Sequence, residues 1–471
     1  MNLEGANTEK LKRDALSLLR AGWSVDRIAS HFTSYREDYG TGLSLCSIRD
    51  EIVSLIGRND DRLVPTGQPT ASHKSVLPDA ACQTEQLEVE SRQVVAINWS
   101  PQQYAAIKSV NQWLCDRSSP QVFRLFGYAG TGKTTLAKHL VQDVNGRVLY
   151  AAFTGKASLV LRKKGCVNAS TIHSLIYKPV EDPETHVIYY VLNLNSPVAG
   201  AGLVVVDEVS MVGEDLARDL LSFGTKILVL GDPAQLPPVK AEGFFINARP
   251  DVMLTEVHRQ AADNPIIRLS MDIREGRGLT PGRYGDSLIV QKGAVCKDEM
   301  REMVLAADQL ICGLNKTRHA YNARIRELRG LHGNEKPWHP VAGDRLICLR
   351  NDREKHIFNG SLWEASATMF AGGPANFLKI RIKSLDEEDC LPIDVKTPEA
   401  YFNGCEKDLD WRIQRSCDEF TFGWAITCHK AQGSQWESPL VFDESSCFRE
   451  NATKWLYTAI TRASRRVTVI V

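Results

Sequence analysis

Residues 127–135 read Gly-Tyr-Ala-Gly-Thr-Gly-Lys-Thr-Thr, a complete match to the pattern G-x-x-x-x-G-K-[ST]. An apolar run at 122–126 precedes this stretch, and residues 136–140 follow it with a composition that suits a helix. A buried strand, a glycine loop and a helix N-terminus in this order bind phosphate, because backbone N–H groups and the helix dipole both favour an anion. The stretch therefore predicts an α/β fold with a nucleotide site at the end of its first strand.

The side chains of this loop indicate which nucleotide atoms it binds. Lys133 is expected to reach the β- and γ-phosphates, and the hydroxyl of Thr134 is expected to bind Mg²⁺. ATP with Mg²⁺ is therefore the predicted ligand. The nucleotide contacts predicted in the loop are Gly127, Ala129, Gly130, Thr131, Gly132, Lys133, Thr134 and Thr135.

Two later strands supply polar groups at their carboxyl ends, where an open α/β sheet binds its ligand. The apolar run 204–206 ends in Asp207, expected to hold Mg²⁺, and Glu208, expected to orient and deprotonate the attacking water. A strand predicted at 226–230 leads into a turn that contains Gln235, a candidate γ-phosphate contact. The acidic pair alone is also typical of a solvated strand end, and the phosphate loop upstream favours catalysis.

Phosphoryl transfer also needs cations near the charge that develops on the phosphate. Arg259, in the segment 254–260, and Arg462, in the segment 457–463, are the candidates. Taken singly, either arginine is more typical of a surface or ion-paired residue. The predicted catalytic residues are Lys133, Asp207, Glu208, Gln235, Arg259 and Arg462.

The ordered motifs of residues 98–471 resemble those of superfamily 1B helicases of the RecD/Dda type, which are ATP-driven 5′→3′ DNA translocases. This resemblance implies two RecA-like P-loop motor domains, an SH3-like β insertion in the second and a small N-terminal helical unit. A signature of the Pif-type branch after the acidic pair is absent, which favours the RecD/Dda side. The motifs lie at residues 100–103, 127–135, 153–157, 170–174, 206–211, 231–238, 254–260, 427–434 and 457–463.

The resemblance also assigns roles around the nucleotide. Gln103 matches the glutamine that reads the adenine edge, and both arginines match residues that contact the γ-phosphate from the second motor domain. Gly433 matches a motif near the ribose or phosphate. Gln435 stands where relatives usually carry a glutamate, so its charge role is in doubt although it can still form hydrogen bonds.

Single-stranded DNA contacts follow from the same resemblance. Hydroxyl, amide and ammonium groups suit phosphate contacts, and an imidazole can stack on a base. Each of these residues could instead make a hydrogen bond within its own loop. They are Thr154, Lys156, Thr171 and His173 on the first domain, and Asn315, Lys316, Thr427, His429 and Lys430 on the second.

Four regions are predicted along the chain. Residues 1–58 read as three short amphipathic helices of helix-turn-helix character, and residues 59–97 read as a flexible linker. Residues 1–60 hold 8 Lys+Arg against 9 Asp+Glu. The helical unit therefore lacks a basic footprint, and docking of a replication or recombination protein is at least as good an interpretation as DNA binding.

The motor domains are predicted at 98–250 and 251–471. A strand-like insertion at about 176–202 in the first matches the family's duplex-splitting wedge. There, Tyr189 or Tyr190 could stack on the last base pair or fill a small local core. Short strands at about 343–417 in the second match the SH3-like insertion that helps cover the translocating strand.

Composition sets further limits. Net charge is zero, so DNA binding would depend on a local basic channel rather than on a basic surface as a whole. The chain lacks a run of about 18 apolar residues and a signal-peptide profile at its start, which predicts a cytoplasmic enzyme of a bacterium or phage-infected host. Its 12 cysteines contain no C-x-x-C and are expected to be free thiols.

These observations bear on three candidate functions. A 5′→3′ DNA helicase in replication, recombination or repair is the first. A nuclease is disfavoured, because no Asp/Glu/Lys cluster of nuclease character lies outside the motor motifs. A DNA-stimulated ATPase or translocase that serves as a subunit or adaptor, without strong unwinding of its own, is the alternative.

Overall fold

The computed structural model describes most of the chain after residue 98, and the segment Val95–Val471 forms one compact unit. The predictions for the helical unit at 1–58, the linker at 59–97 and Arg259 lie outside the described residues. No helix in the described part is both long and apolar enough to cross a membrane. The described residues are 99–141, 144–181, 188–238, 243–256, 264–333, 335–352, 354–373, 375–387 and 390–471.

The first α/β domain contains a six-stranded parallel sheet with the strand order β3-β2-β6-β7-β1-β8. The most central strands are continuous apolar runs, as expected where helices cover both faces of a parallel sheet. Its elements are α1 Pro101–Cys115, β1 Val122–Gly127, α2 Lys133–Leu140, β2 Val148–Ala152, α3 Gly155–Lys163, β3 Ser170–Thr171, α4 Ile172–Ile176, β6 Leu203–Asp207, α5 Glu214–Leu221, β7 Ile227–Gly231 and β8 Val252–Leu254, with 3₁₀ turns at Pro197–Gly200 and Val209–Met211.

The first sheet extends past the predicted domain boundary at residue 250. Strand β8 pairs in parallel with β1, with Leu125 opposite Val252. The boundary was placed too early because a three-residue strand is too short to show a period in the sequence. As a result, the chain leaves the first sheet at Leu254, directly beside the phosphate loop.

The first domain also contains a two-stranded antiparallel sheet, formed by β4, Tyr177–Glu181, and β5, Ile188–Leu192, which we call the hairpin. In this hairpin Tyr190 lies opposite Pro179. The side chains of Tyr189 and Tyr190 are 47% and 61% exposed, so they do not fill a local core.

The second α/β domain has the strand order β17-β11-β18-β19-β10-β9, parallel except for β9. Its largest core cluster joins helix α6 to helix α12 around the fully buried Trp455. Its elements are α6 Pro265–Arg274, β9 Gly282–Tyr284, β10 Ser287–Val290, α7 Lys297–Ala306, β11 Leu310–Cys312, α8 Asn315–Leu328, β17 Ala425–Thr427, α11 Cys428–Ala431, β18 Leu440–Phe442, α12 Ala452–Ile460 and β19 Thr468–Ile470, with a 3₁₀ turn at Ser445–Asn451.

Between α8 and β17 the chain forms a separate five-stranded antiparallel sheet, ordered β15-β14-β13-β12-β16. Gly360, with φ +85°, lies in the turn before the second of its strands. The sheet runs on to Phe422, because β16 pairs with β12, and it therefore ends later than the predicted 417. We call this segment the insertion; it contains β12 Arg345–Cys348, β13 Leu362–Gly372, β14 Phe377–Ser384, β15 Ile393–Pro398, α9 Ala400–Asn403, a 3₁₀ turn at Glu406–Asp408, α10 Trp411–Ser416 and β16 Phe420–Phe422.

Candidate active site

The phosphate loop joins β1 to α2, and its glycines are required by its geometry. Gly130 and Gly132 have φ of +80° and +77°, the left-handed region that residues with a Cβ rarely adopt. A Cβ on Gly127 would lie 2.7 Å from Oγ1 of Thr131 and 2.8 Å from Cβ of Leu254. The loop can therefore approach a phosphate closely with its backbone, which fits the nucleotide predicted from the sequence.

Lys133, the first residue of α2, lies at the loop itself. Its Nζ donates to the carbonyl oxygens of Gly127, at 2.6 Å, and Tyr128, at 3.0 Å. A ring contact from the second domain adds to the loop's packing, since the guanidinium carbon of Arg274 lies 3.6 Å from the centroid of the Tyr128 ring. The charged group that the sequence assigned to the phosphates is thus held beside the loop backbone.

The predicted Mg²⁺ ligands lie next to each other. The hydroxyl of Thr134 donates to Oδ2 of Asp207 at 3.0 Å, and the N–H of Glu208 donates to Oδ1 of Asp207 at 2.8 Å. Burial, and secondarily the charge of Glu208, raises the pKa of Asp207. A hydroxyl and a buried carboxylate are the hard oxygen donors that Mg²⁺ prefers, and Mg²⁺ usually takes only one or two protein ligands beside phosphates. The residues fit this ion.

Glu208 begins a turn directly after strand β6 in a strained conformation. Its φ of +54° lies in the left-handed region, which for a residue with a side chain costs energy and often marks a functional site. Its Oε1 lies 4.0 Å from Nη1 of Arg462, which belongs to the second domain. The predicted water-activating carboxylate and the predicted arginine therefore face each other across the two domains.

Arg462 is fixed by its own domain. The residue is only 4% exposed, and its guanidinium donates to the carbonyl oxygens of Thr458, at 3.2 Å, and Ser434, at 3.3 Å. A third hydrogen bond, to Oγ1 of Thr461, measures 3.3 Å. Because three hydrogen bonds fix its guanidinium, Arg462 is pre-organised to stabilise negative charge without first changing its own conformation.

Gln235 lies in the turn after β7. The side chain is buried, and its Oε1 makes no hydrogen bond to any residue that the structure describes. Buried polar atoms are nearly always paired in proteins, so an unpaired one in a predicted nucleotide site is a candidate ligand contact. Earlier in the same turn, burial raises the pKa of Asp232.

Gln103 is placed against the phosphate loop. Its Nε2 donates to the carbonyl oxygen of Thr131 at 3.0 Å, and its Oε1 accepts from the N–H of Ser100 at 3.1 Å as part of a helix-capping box. Its contact with adenine stays a prediction. The neighbouring Gln102 was not predicted as a site residue, but its Oε1 accepts from the N–H of Thr255 at 2.7 Å. It anchors the chain at Thr255, four residues before Arg259.

The remaining predicted nucleotide contacts differ in exposure. Thr135 and Gln435 are exposed. Gly433 has φ +75°, and a Cβ there would lie 2.9 Å from Cβ of Ala157 and 3.2 Å from Oγ1 of Thr154. Gly433 therefore lies at a close contact between the two α/β domains, where a larger residue would separate them.

Two of the predicted DNA contacts in the first domain serve as helix caps. The Thr154 side chain accepts from the N–H of Ala157 at 3.1 Å at the start of α3, and Thr171 accepts from the N–H of Ser174 at 3.1 Å at the start of α4. The His173 ring lies 5.5 Å from that of Tyr177, centroid to centroid. Capping threonines stabilise the helix N-termini, which are themselves suited to anions.

Lys156, in contrast, is covered by other parts of the chain. It is 8% exposed, and its Nζ lies 3.3 Å from Oδ1 of Asp386 in the insertion and 4.9 Å from the centroid of the Trp436 ring. Burial lowers the pKa of Lys156. The insertion approaches so closely that a Cβ on Gly155 would lie 2.4 Å from Cβ of Phe358.

The predicted DNA contacts in the second domain also include residues that are covered by the insertion and residues that are not. Nζ of Lys430 donates to Oδ1 of Asn359 in the insertion at 2.9 Å, and burial lowers its pKa. Burial also lowers the pKa of His429. The exposed pair, Asn315 and Lys316, opens helix α8, while the hydroxyl of Thr427 caps α11 by accepting from the Lys430 N–H at 3.4 Å.

Two family models match parts of this chain. Residues 98–294 match the AAA domain family, and residues 422–470 match the UvrD-like helicase C-terminal domain. The chain is 30% identical over 371 residues to the ATP-dependent RecD2 DNA helicase of Deinococcus radiodurans, covering 73% of this chain and 46% of that protein. It is 26% identical over 406 residues to the RecBCD enzyme subunit RecD of Mycobacterium tuberculosis, covering 74% and 66%.

Two further similarities involve a phage and a solved structure. The ATP-dependent DNA helicase Dda of Enterobacteria phage T4 is 32% identical over 166 residues, or 32% of this chain and 37% of that protein. The chain thus spans 37% to 66% of the length of these three relatives. The Bacteroides Pif1 helicase in complex with ADP-AlF3 and ssDNA aligns with a TM-score of 0.47 at 18% identity, covering 79% of this chain and 92% of that one.

Proposed function

We propose that this chain is a superfamily 1B helicase of the RecD/Dda type, which hydrolyses ATP to move 5′→3′ along single-stranded DNA and to unwind duplex ahead of it. The observation that carries this proposal is the approach of Arg462 to Glu208 across the two α/β domains, beside a complete phosphate loop. A site shared by two domains couples hydrolysis to a change in their separation, which is how such a motor would step.

Each catalytic side chain has a distinct task in this proposal. Lys133 binds the β- and γ-phosphates, and Glu208 accepts a proton from the water that attacks the γ-phosphorus. Gln235 accepts a hydrogen bond from that water through its unpaired Oε1, or donates one to the γ-phosphate through its amide nitrogen. Arg462 stabilises the charge on the transferred group from the second domain, and Arg259 is assigned the same task by resemblance.

Thr134 and Asp207 would hold Mg²⁺, which neutralises charge on the phosphates when bound. The raised pKa of Asp207 has a physical consequence for this site. Burial without a cation disfavours its carboxylate, so a divalent ion and the deprotonated form of Asp207 would stabilise each other. Gln103 is proposed to read the adenine, with Gly433 and Gln435 near the ribose or phosphates.

Strand binding requires the covered residues to become accessible. Lys156 is paired with Asp386, and Lys430 with Asn359, so the insertion must move away from helix α3 before either lysine contacts a phosphate. We assign the insertion to the SH3-like type of the family, which helps cover the translocating strand. The exposed Asn315 and Lys316 are available for a first contact.

The hairpin and the N-terminal region complete the proposal. The exposed Tyr189 and Tyr190 suit a wedge that stacks on the last base pair at a junction of single- and double-stranded DNA. Residues 1–58 are proposed to dock a replication or recombination protein. The proposed location is the cytoplasm of a bacterium or a phage-infected host.

Strand displacement tests the proposal directly. Duplexes with a 5′ single-stranded tail, a 3′ tail or blunt ends are incubated with the protein, ATP and Mg²⁺. Unwinding of the 5′-tailed duplex alone is expected. Unwinding of the 3′-tailed duplex would contradict the assigned polarity. DNA-stimulated hydrolysis without unwinding would identify the alternative, a translocase subunit or adaptor of a larger complex, and cleavage of the strands would identify a nuclease.

A further inference from the structure

A single tyrosine hydroxyl joins the second domain to two parts of the nucleotide site. Tyr457, on helix α12, accepts a hydrogen bond from the N–H of Ala129 in the phosphate loop at 2.8 Å. The same hydroxyl donates to Oδ2 of Asp232, in the turn that also contains Gln235, at 2.7 Å. Both the donor and the acceptor capacity of the hydroxyl are thus used between domains.

The Tyr457 hydroxyl and its acceptor Asp232 are both shielded from solvent. Tyr457 is 1% exposed and Asp232 is 2% exposed, so neither group can exchange this hydrogen bond for one with bulk water. Burial, together with the charge of Asp232, raises the pKa of the Tyr457 phenol, which therefore stays protonated and able to donate. Removing the hydroxyl would leave a partly buried N–H and a buried carboxylate without this partner.

The same helix turn carries Arg462. The hydroxyl of Thr461 donates to the Tyr457 carbonyl oxygen at 2.9 Å, and the guanidinium of Arg462 donates to the Thr461 hydroxyl at 3.3 Å. A second contact beside it has Oγ1 of Thr458 accepting from the Leu236 N–H at 2.9 Å. Hydrogen bonds thus lead from the phosphate loop through Tyr457 to the arginine that faces Glu208.

We propose that Tyr457 is a positioning residue for ATP hydrolysis: its hydroxyl sets helix α12, and with it Arg462, against the phosphate loop and the Asp232–Gln235 turn. This inference rests on the proposed ATP hydrolysis. It adds that alignment of the two domains depends on the hydroxyl itself and not only on the packing of the ring, which belongs to the core of the second domain.

The test is Tyr457→Phe, which keeps the ring and removes the hydroxyl. The expected result is a fall of about tenfold in kcat for DNA-stimulated ATP hydrolysis, with KM for ATP changed less than about threefold, because binding groups remain and alignment is lost. A fluorescent ATP analogue should still bind. Tyr321→Phe is the matched control, since its ring stacks on Phe442 at 4.1 Å within the second domain, and its kcat should not change.

A double-mutant cycle with Asp232→Asn separates positioning from general stability. If both residues act through their shared hydrogen bond, the effects on kcat are non-additive, and Tyr457→Phe costs less in the Asp232→Asn background. An unchanged kcat in Tyr457→Phe, or additive losses accompanied by equal losses of thermal stability, would overturn the inference. If Tyr457→Phe does not fold, Asp232→Asn alone must lower kcat at unchanged KM.

Different results would refute the proposed function and the positioning role of Tyr457. A wild-type protein that hydrolyses no ATP, with or without single-stranded DNA, would refute the proposed function, and the role of Tyr457 would fall with it. A wild-type protein that hydrolyses ATP at the same kcat as Tyr457→Phe would refute only the positioning role.

Discussion

The proposed nucleotide contacts and the proposed DNA contacts of this molecule differ in how far they are covered by other parts of the chain. In the nucleotide cleft, Lys133, Asp207 and Glu208 lie close together, and Arg462 faces them from the other domain. Among the DNA contacts, Lys156 and Lys430 are covered by the insertion and paired with its polar side chains. The two α/β domains therefore bring the proposed nucleotide contacts together by themselves, whereas the proposed DNA contacts Lys156 and Lys430 are also bound by a third element, the insertion.

The physical reason is that the contacts in the two regions join residues at different separations along the sequence. The phosphate loop takes its form from glycine dihedrals and adjacent hydrogen bonds, which involve residues close in sequence. Lys156 meets a carboxylate from a distant part of the chain, and the contact forms only when the insertion packs on α3. Experiments that disturb one region and leave the other intact test this separation.

The largest effect is expected from Glu208→Gln. Loss of a general base typically costs 10²–10⁴-fold in rate, so steady-state ATP hydrolysis should fall by about three orders of magnitude. ATP should still bind, because Lys133 and the loop are unchanged. A phosphate-release assay and equilibrium binding of labelled ATP measure the two properties.

Glu214→Gln provides the control for that change. Glu214 is an exposed glutamate at the start of α5 that pairs with Arg218 on its own helix, and hydrolysis should be unchanged when it is replaced. Normal turnover in Glu208→Gln would remove the carboxylate from its assigned role. It would also mean that the cleft is not arranged for catalysis in the way described.

A moderate effect is expected from Asp386→Asn. Removing the carboxylate releases Lys156 from its ion pair, so single-stranded DNA should bind about fivefold more tightly, equivalent to ~1 kcal/mol. Because one more cation becomes available to phosphates, the dependence of affinity on salt should also become steeper. Fluorescence anisotropy with a labelled oligonucleotide at several salt concentrations measures both.

The matched control is Asp394→Asn, which removes a more exposed carboxylate of the same insertion that pairs with Arg381 and Lys379. Its effect on DNA affinity should be within about twofold. Equal tightening by both variants would indicate a general charge effect. No tightening by Asp386→Asn would show that the insertion does not limit access to Lys156.

The smallest effect is expected from Tyr190→Ala. Loss of an exposed aromatic ring that stacks on a base pair should slow unwinding by about threefold, while DNA-stimulated ATP hydrolysis stays unchanged. Tyr190→Phe keeps the stacking surface and should unwind normally. If hydrolysis falls in step with unwinding in Tyr190→Ala, the hairpin would be supporting the motor rather than separating strands.

Several elements could be predicted because their signals are local. The strand and the helix that flank the phosphate loop follow from an apolar run and helix formers, and the loop between them follows from the left-handed Gly130 and Gly132. Strands β8 and β16 were missed because three residues carry no readable period, and each becomes a strand only by pairing with a distant partner. Arg259 remains a sequence prediction, since it lies outside the described residues.

The sequence by itself determined the phosphate loop, the Asp207–Glu208 pair at a strand end and the candidate arginine at 462, because motif spacing and local backbone preference decide these features. Only the tertiary structure decided that Tyr457 bonds the loop, that Gln103 supports it and that Asp386 covers Lys156. Such contacts join residues far apart in the chain. They depend on how domains pack, and packing is a property of the whole fold rather than of any segment.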